Sequence, residues 1–278
     1  MIQVERSGQS CGARVTGVDL SRPLDADTVA GLRAAWLEHH VLVFPDQALD
    51  DDDLERFTRC FGGFGDDPFI APIPGREHVV AVRRRADETS PLFAETWHSD
   101  WSFQAIPPAG TCLYGITIPP VGGDTLFANQ HAALDAMPPR LRARIEGRIA
   151  IHSARRAYAP NGMYGAGDAK DRSMVFRPSK DAENTQRHPL IRPHPETGRP
   201  GVFSCLGYIV GIVDMDDALS GPLLAELYRW QTREAFQYRH RWQPNMLVVW
   251  DNRSVLHAAT GGYAGHDRLL HRTTIAGP

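Results

Sequence analysis

The sequence has few of the features that mark secreted, membrane or nucleic-acid-binding proteins. Its 278 residues contain four cysteines and no CxxC pair, which excludes a disulfide framework or zinc ribbon and favours reduced thiols. No apolar run approaches the roughly 18 residues of a membrane span, and the first residues lack a signal-peptide layout. The formal net charge of -3 argues against a nucleic-acid binder. We therefore expect a cytoplasmic protein that binds neither membranes nor nucleic acid.

What is present is a globular composition with many short β-rich runs. Hydrophobic residues make up 42% and charged residues 23%, enough for a sizeable core. Apolar spacing predicts helices over 24–40, with Asp25 or Asp27 as the N-cap, from Asp50 onward, over 128–137 and over 221–236. The predicted strands are VLVF (41–44), HVVAV (78–82), TCLYGITI (111–118), GVFSCL (201–206), NMLVVW (245–250) and LLHRTTI (269–275).

This order of elements predicts a mostly β chain with inserted helices (α+β), built on a two-sheet jelly roll. We expect one domain over residues 1–278. The segment 155–187 is polar, glycine-rich and weakly patterned. Long irregular segments inside compact domains are usually functional, so we expect this one to form a lid over a site.

The stretch ETWHSDWSF (95–103) places two metal-binding side chains two residues apart. If His98 and Asp100 lie on a strand, both project from the same face. His257, at the end of WDNRSVLH, is the best candidate for a third ligand. Two histidines and one carboxylate are the ligand set of non-haem Fe(II) oxygenases, whose open positions take a 2-oxo acid and dioxygen. An HxD triplet alone is common, so the residues around it decide its meaning.

Two further features indicate an anionic ligand. Arg268 and Arg272 lie four residues apart in the last predicted strand, RLLHR, where even spacing keeps them on one face. Guanidinium groups on the inner face of an otherwise apolar strand require anions to meet them. The turn GGDT (122–125) adds the hydroxyl of Thr125.

These motifs, taken in order, resemble the TauD/TfdA family of Fe(II)- and 2-oxoglutarate-dependent dioxygenases. The resemblance covers nearly the whole chain and rests on GARVTGVDLSRPL, VLVFPDQ, WHSDWSF, PPVGGDTLF, RHPLIRPHPETGR, RWQPNMLVVWDNRSVLH and HRTTIAG. It implies a double-stranded β-helix core of the cupin-like type, with iron held by His98, Asp100 and His257. It also implies that Thr125 and Arg268 bind 2-oxoglutarate.

The resemblance further assigns Arg272 to the arginine that grips an acidic head group of the substrate in several members. In taurine-cleaving members, a histidine after the second helix helps to bind the sulfonate; here Asp67 of FGGFGDDPF stands at that position. Ala94 replaces an asparagine four residues before the first ligand. Taurine is therefore not the expected substrate, and an anionic end for Arg272 with a cationic or donor group for Asp67 fits better.

Three aromatic residues are candidates for the wall of the substrate pocket: Tyr208, Trp101 and Phe103. Each reads equally well as a core aromatic. Other polar residues are predicted to be structural, namely His188, His194, Asp251 and Arg253. Arg155, Arg156 and Tyr158 lie in the expected lid, where contact with the substrate is the alternative to the predicted solvated loop.

The predicted activity is hydroxylation of a small anionic substrate, with C–S or C–O cleavage or another oxidative outcome where the substrate allows it. The presence of Asp100 disfavours halogenation, because the related halogenases lack this carboxylate. The cofactors implied are Fe(II), with 2-oxoglutarate and dioxygen as co-substrates, and a homo-oligomer (dimer or tetramer) is expected. The alternative is a non-oxidative jelly-roll protein that binds metal or a small acid, or an isomerase; Thr125 and Arg268 argue against it, because such a site needs no co-substrate clamp.

Overall fold

A computed structural model describes residues 2–168 and 170–278, so Met1 and Ala169 of the predicted domain and lid lie outside the described residues. The strands are β1 (Gln3–Arg6), β2 (Ala13–Thr16), β3 (Val41–Phe44), β4 (Val80–Arg84), β5 (Gly110–Thr117), β6 (Thr125–Asn129), β7 (Ile149–His152), β8 (Gln186–Pro189), β9 (Ile191–Pro193), β10 (Pro200–Val202), β11 (Ile209–Ile212), β12 (Gln237–His240), β13 (Leu247–Asp251), β14 (Val255–Ala259) and β15 (Arg268–Ile275). The helices are α1 (Ala26–His39), α2 (Asp51–Phe61), α3 (Gln130–Asp135), α4 (Pro139–Ile145), α5 (Arg155–Tyr158) and α6 (Asp217–Gln231), with 3₁₀ turns at Lys180–Glu183 and Glu234–Phe236.

A seven-stranded sheet forms one wall of the fold, in the order β1-β2-β3-β13-β5-β15-β4. Its central strands are buried on both faces, and their side chains alternate between two clusters. On one face, Leu42, Tyr114 and Val249 pack with the apolar stripes of α1 and α2. On the other face, Val43 and Val248 pack against residues of the smaller sheet.

The second wall includes a three-stranded sheet in the order β12-β6-β14, and a further three-stranded sheet pairs β11, β7 and β8. Phe127 of β6 and Val255 of β14 meet the large sheet in a shared core. This arrangement confirms the predicted two-sheet jelly roll with helices outside. It also leaves β15 of the large sheet facing β6 and β14 of the small one, and the candidate site lies between these strands.

The first two helices begin after the acidic N-caps that their sequences predict, although α1 covers 26–39 rather than the predicted 24–40. Asp25 is the N-cap of α1, and its side chain accepts a hydrogen bond from the Thr28 amide, 2.7 Å away. Asp50 caps α2 in a reciprocal capping box with Asp53. α2 ends at Gly62, and the loop that carries Asp67 begins there.

Three predicted elements have wrong bounds. The predicted helix 128–137 starts as strand, since Ala128 and Asn129 belong to β6, and Asn129 then caps α3. The predicted helix 221–236 begins earlier, at Asp217, and stops at Gln231, so Pro222 lies inside α6. The run 201–206 is strand only as far as Val202, and Phe203 to Leu206 are not part of a sheet.

The segment 155–187 contains more regular structure than its composition predicts. It holds α5, the 3₁₀ turn Lys180–Glu183 and the first residues of β8, with turns between them. Over residues 2–168 and 170–278, no helix is long and apolar enough to cross a membrane.

Candidate active site

The three predicted metal ligands come together between the sheets. His257 lies on β14, and His98 pairs with it in an isolated antiparallel bridge. The His98 amide donates to the His257 carbonyl (3.0 Å), and the His257 amide donates to the His98 carbonyl (2.8 Å). The sequence placed His98 and Asp100 on one strand; Asp100 instead lies in the turn that follows the bridge. That turn still directs both side chains to one point.

The ligand atoms are close enough to share one ion. Asp100 Oδ1 lies 3.6 Å from His98 Nε2 and 3.7 Å from His257 Nε2. The three atoms fall within 4.8 Å of one another, and all three residues are at least nine-tenths buried. This is a facial arrangement with its other side open to a cavity, as an oxygenase site requires.

Hydrogen bonds from outside the cluster hold the ligands in place. Asp100 Oδ2 accepts from Thr111 Oγ1 (2.7 Å), which accepts from Asn252 Nδ2 (2.9 Å). The Asn252 side chain is fixed in turn by Trp250 Nε1, 2.9 Å from Asn252 Oδ1. On the other side, His98 Nδ1 lies 2.8 Å from the Thr96 carbonyl, which leaves Nε2 for a metal.

The electrostatics favour the ligating forms of these groups. Burial lowers the pKa of His257 to about 3, with the neighbouring His98 adding to the effect, so the imidazole is neutral at physiological pH. Burial opposes ionisation of Asp100, but His257, His98 and Arg272 together hold its pKa below the usual range. Neutral imidazoles and an ionised carboxylate are the states that bind a divalent metal.

A cavity adjoins the ligands, and the predicted co-substrate residues are part of its lining. Arg268, at the start of β15, is buried, and its Nη2 donates to the Gly123 carbonyl at 3.2 Å. Its Nε is buried and has no hydrogen-bond partner among the residues that the structure describes. Thr125 lies across the cavity on β6, and its Oγ1 accepts from Trp242 Nε1 (3.0 Å), which leaves the hydroxyl proton to be donated.

The glycine turn before Thr125 has a steric reason. Gly122 and Gly123 both have left-handed backbones, with φ of 69° and 68°. A Cβ on Gly122 would lie 2.6 Å from the Gly261 carbonyl oxygen, and one on Gly123 would lie 3.2 Å from Arg268 Nε. The turn therefore lets the chain pass close to the arginine without covering its free edge.

A second cavity opens on the other side of the ligands. Trp101 and Tyr208 line it, whereas Phe103 packs behind Tyr208 with ring centroids 5.0 Å apart. That these aromatic residues contact the substrate stays a prediction. The prediction of a solvated loop is wrong for Tyr158, which is 2% exposed and lines this cavity because Phe69 stacks on its ring at 5.0 Å. Arg155 and Arg156 are exposed, as predicted.

Arg272 lies between the two cavities and lines both. Its Nη2 donates to Asp67 Oδ1, and its Nη1 lies 4.0 Å from Asp100 Oδ1. Asp67 also accepts from Trp101 Nε1 (2.9 Å) and Thr274 Oγ1 (3.0 Å). Burial lowers the pKa of Arg272, but Asp67 and Asp100 outweigh it and raise the pKa above its usual value. The arginine is therefore a buried cation whose main counter-ion is Asp67.

The polar residues behind the site brace it. Asp251 accepts from both Arg253 and His194, with Asp251 Oδ2 2.9 Å from His194 Nε2. Arg253 Nη1 continues to Glu196 at 2.6 Å, which fixes the turn between β13 and β14. His188 bonds the Gln104 carbonyl (2.9 Å). These contacts agree with structural roles for His194, Asp251, Arg253 and His188.

Comparison with known proteins agrees with this geometry. A family model described as "Taurine catabolism dioxygenase TauD, TfdA family" matches residues 3–274. The chain belongs to the TauD/TfdA family. It is 31% identical to an alkylsulfatase of Acinetobacter baylyi over 99% of this chain and 85% of that protein. It is 32% identical to an (S)-phenoxypropionate/alpha-ketoglutarate-dioxygenase of Delftia acidovorans, over 99% and 95%.

Solved structures of this TauD/TfdA fold superpose closely. A taurine dioxygenase from Burkholderia xenovorans has a TM-score of 0.81 at 31% identity, covering 100% of this chain and 91% of that one. AAD-2 in complex with Mn(II) and N-oxalylglycine has a TM-score of 0.78 at 27% identity, covering 100% and 98%. The protein is therefore an oxidoreductase, a dioxygenase that uses Fe(II), 2-oxoglutarate and dioxygen. Its His-Asp-His cluster and the unpaired edge of Arg268 fit that requirement.

Sequence reasoning missed several residues that shape the site. Thr111, supported by Asn252, holds Asp100, and Trp242 holds Thr125. Each of the three lies in or beside an apolar strand run, with no local signal of its role. Their importance appears only when β5, β6, β12 and β13 are brought together.

Proposed function

We propose that this dioxygenase hydroxylates a small organic acid, with iron held by His98, Asp100 and His257. Arg268 and Thr125 bind the distal carboxylate of 2-oxoglutarate, and Arg272 faces the polar end of the substrate. When bound, the iron centre supplies the oxidation of an unactivated C–H bond. The residues of the chain position the reactants: they hold 2-oxoglutarate and the substrate on opposite sides of the buried ligand cluster.

The observation that carries this proposal is the placement of two cavities around one ligand cluster. His98 and Asp100 line both cavities, and so does Arg272. The cavity lined by Arg268 and Thr125 suits a dicarboxylate, because the positively charged Arg268 has a buried Nε that meets no acceptor in the described chain. The other cavity has aromatic walls, from Trp101 and Tyr208, that suit a carbon skeleton.

The substrate class draws on the relatives. Their names include an alkylsulfatase and an (S)-phenoxypropionate dioxygenase, both of which point to small acids. A carbon that carries a heteroatom would break after hydroxylation, so C–O or C–S cleavage is the proposed outcome for such substrates. Taurine is not the proposed substrate, because Asp67 presents a carboxylate where a sulfonate would approach Arg272.

Three further features are part of the proposal. The chain forms one dioxygenase domain, and the segment 155–187 acts as a lid, supported by Tyr158 and Tyr164 lining the substrate cavity. Cys11, Cys60, Cys112 and Cys205 are free thiols, which supports a cytoplasmic location. The enzyme works as a homo-oligomer, an inference that rests on the family resemblance.

The test is release of succinate from 2-oxoglutarate by the purified protein with Fe(II), dioxygen and a panel of small acids. We expect substrate-dependent succinate formation that His257→Ala abolishes, because one of three ligands is lost. Anaerobic addition of Fe(II) and 2-oxoglutarate should also give a visible charge-transfer band in the unaltered protein. A protein that binds metal but yields neither the band nor succinate would be the non-oxidative jelly-roll protein instead.

A further inference from the structure

The substrate cavity contains a cation that already has a counter-ion. Among the described residues that line this cavity, Arg272 is the one with a positive charge. Its side chain is 5% exposed, and that of Asp67, which accepts its Nη2 hydrogen bond, is 10% exposed. The guanidinium also lies over the ring of Trp101, 5.3 Å from the centroid. Asp67 and Arg272 therefore form a buried pair with no net charge.

Asp67 is held in this role by its other contacts. Trp101 Nε1 and Arg272 share its Oδ1, and Thr274 Oγ1 donates to its Oδ2. A carboxylate has about four acceptor positions, so one position on Oδ2 remains. On the arginine, Nε is buried and unpaired within the described chain. Arg272 lines the substrate cavity, and Asp67 contacts it from outside the lining. The pair thus keeps one donor of Arg272 and one acceptor position of Asp67 without a partner in the described chain.

When a metal and 2-oxoglutarate are bound, the charges of the site disfavour a further anion that has no counter-ion. Next to the ligand cluster, a divalent metal and Arg268 would supply three positive charges, while Asp100 and a bound 2-oxoglutarate would supply three negative ones. Of the other charged residues that line the two cavities, Arg84 lies 3.7 Å from Glu88, Arg172 pairs with Asp168, and Arg83 and Glu95 are exposed and opposite in sign. The Asp67–Arg272 pair adds none. A simple sulfonate or carboxylate entering this buried space would carry an uncompensated negative charge close to Asp67, which is costly in a low-dielectric site.

We propose that Asp67 is a specificity-determining residue that selects a charge-balanced head group. Resting on the proposed function, this inference narrows the substrate to a carboxylic acid whose cationic or hydrogen-bond-donating group stands on the carbon next to the carboxylate, as in an α-amino acid. Taurine, whose ammonium group lies one carbon further from its sulfonate, does not belong to this class. The acidic group meets the free Nε edge of Arg272, and the cationic or donating group faces the carboxylate side of the pair. Bare alkyl sulfonates and simple carboxylates are disfavoured.

The test compares acids that differ only in a neighbouring amino group. The probes are hexanoate with 2-aminohexanoate, 3-phenylpropanoate with phenylalanine, and hexanesulfonate. Each is titrated calorimetrically, without oxygen, into protein loaded with Mn(II) and 2-oxoglutarate. We expect the amino member of at least one pair to bind about tenfold or more tightly than its bare partner, the scale of one unfavourable charge contact. Asp67→Asn should remove that preference by strengthening binding of the bare acids.

Asp66→Asn is the matched control, because this neighbouring carboxylate is exposed and its loss makes the same change in net charge. It should keep the wild-type preference. Preference for the bare acids, equal binding of both members, or binding of neither by the unaltered protein overturns the inference; so does an Asp67→Asn variant with an unchanged ratio. Failure of 2-oxoglutarate itself to bind in the same titrations overturns the proposed function instead. The unaltered protein alone decides the first question, whether or not the variant folds.

Discussion

The two arginines of β15 are four residues apart on the same strand, yet they have opposite surroundings. Arg268 is buried beside Thr125 and bonds a backbone carbonyl, with Nε left unpaired in the described structure. Arg272 is equally buried but is neutralised by Asp67 and approached by Asp100. Among the described residues Arg268 has no ion-pair partner, whereas Arg272 is already paired with Asp67. Two arginines on the same face of one strand, with similar burial, are therefore expected to have different roles.

The largest effect should come from removing the unpaired arginine. Arg268→Ala is expected to weaken 2-oxoglutarate binding by about 4 kcal/mol, roughly a thousandfold, because the ligand carboxylate loses its buried partner. Titration of 2-oxoglutarate into Mn(II)-loaded protein measures it. Arg272→Ala is the control and should change this affinity by less than about tenfold. Equal losses from the two substitutions would show that the contrast between the arginines is false.

A smaller effect should follow from breaking the existing pair. Asp67→Ala leaves Arg272 buried without its counter-ion and is expected to lower the free energy of unfolding by about 3 kcal/mol. Urea-induced unfolding of the metal-free protein provides the measurement. Asp66→Ala, in the same loop but exposed, should stay within about 0.5 kcal/mol of the parent. If both variants unfold alike, Asp67 does not stabilise the arginine.

The smallest effect should come from removing the hydrogen bond that Trp242 donates to Thr125. Trp242→Phe removes the indole N–H that donates to Thr125 Oγ1, and we expect about 1 kcal/mol of lost 2-oxoglutarate affinity, roughly fivefold. The same titration measures it. Trp230→Phe removes another indole donor, which bonds the Ala133 carbonyl at 2.8 Å away from the site, and should leave the affinity unchanged. A loss shared by both variants would reflect general destabilisation.

Sequence reasoning predicts those residues of the site that lie close together along the chain. His98 and Asp100 stand two residues apart, and Arg268 and Arg272 stand on one strand face, so a short window contains each pair. The predicted strand at His98 was wrong, because the chain turns directly after its bridge to His257. The ligands still meet, since the turn preserves the direction that an extended run would have given them.

Contacts across distant segments were beyond sequence reasoning. Asp67 was predicted as a substrate contact from its position in the loop after α2, but its ion pair with Arg272 depends on how that loop lies over β15. Tyr158 was assigned to solvent because its segment is polar, and tertiary packing against Phe69 buries it. The same holds for Thr111 and Asn252, whose side chains meet only after β5 and β13 pair.

The backbone bridge between His98 and His257 has a consequence for metal capture. Because paired amide and carbonyl groups join the two residues, the two imidazoles act as one bidentate chelator. The entropy of bringing them together is lost when the strands pair, before any ion arrives. With the proposed ligand set, an incoming Fe(II) would meet two imidazoles that are already fixed beside Asp100, and we expect the jelly roll to stay folded when the metal is removed.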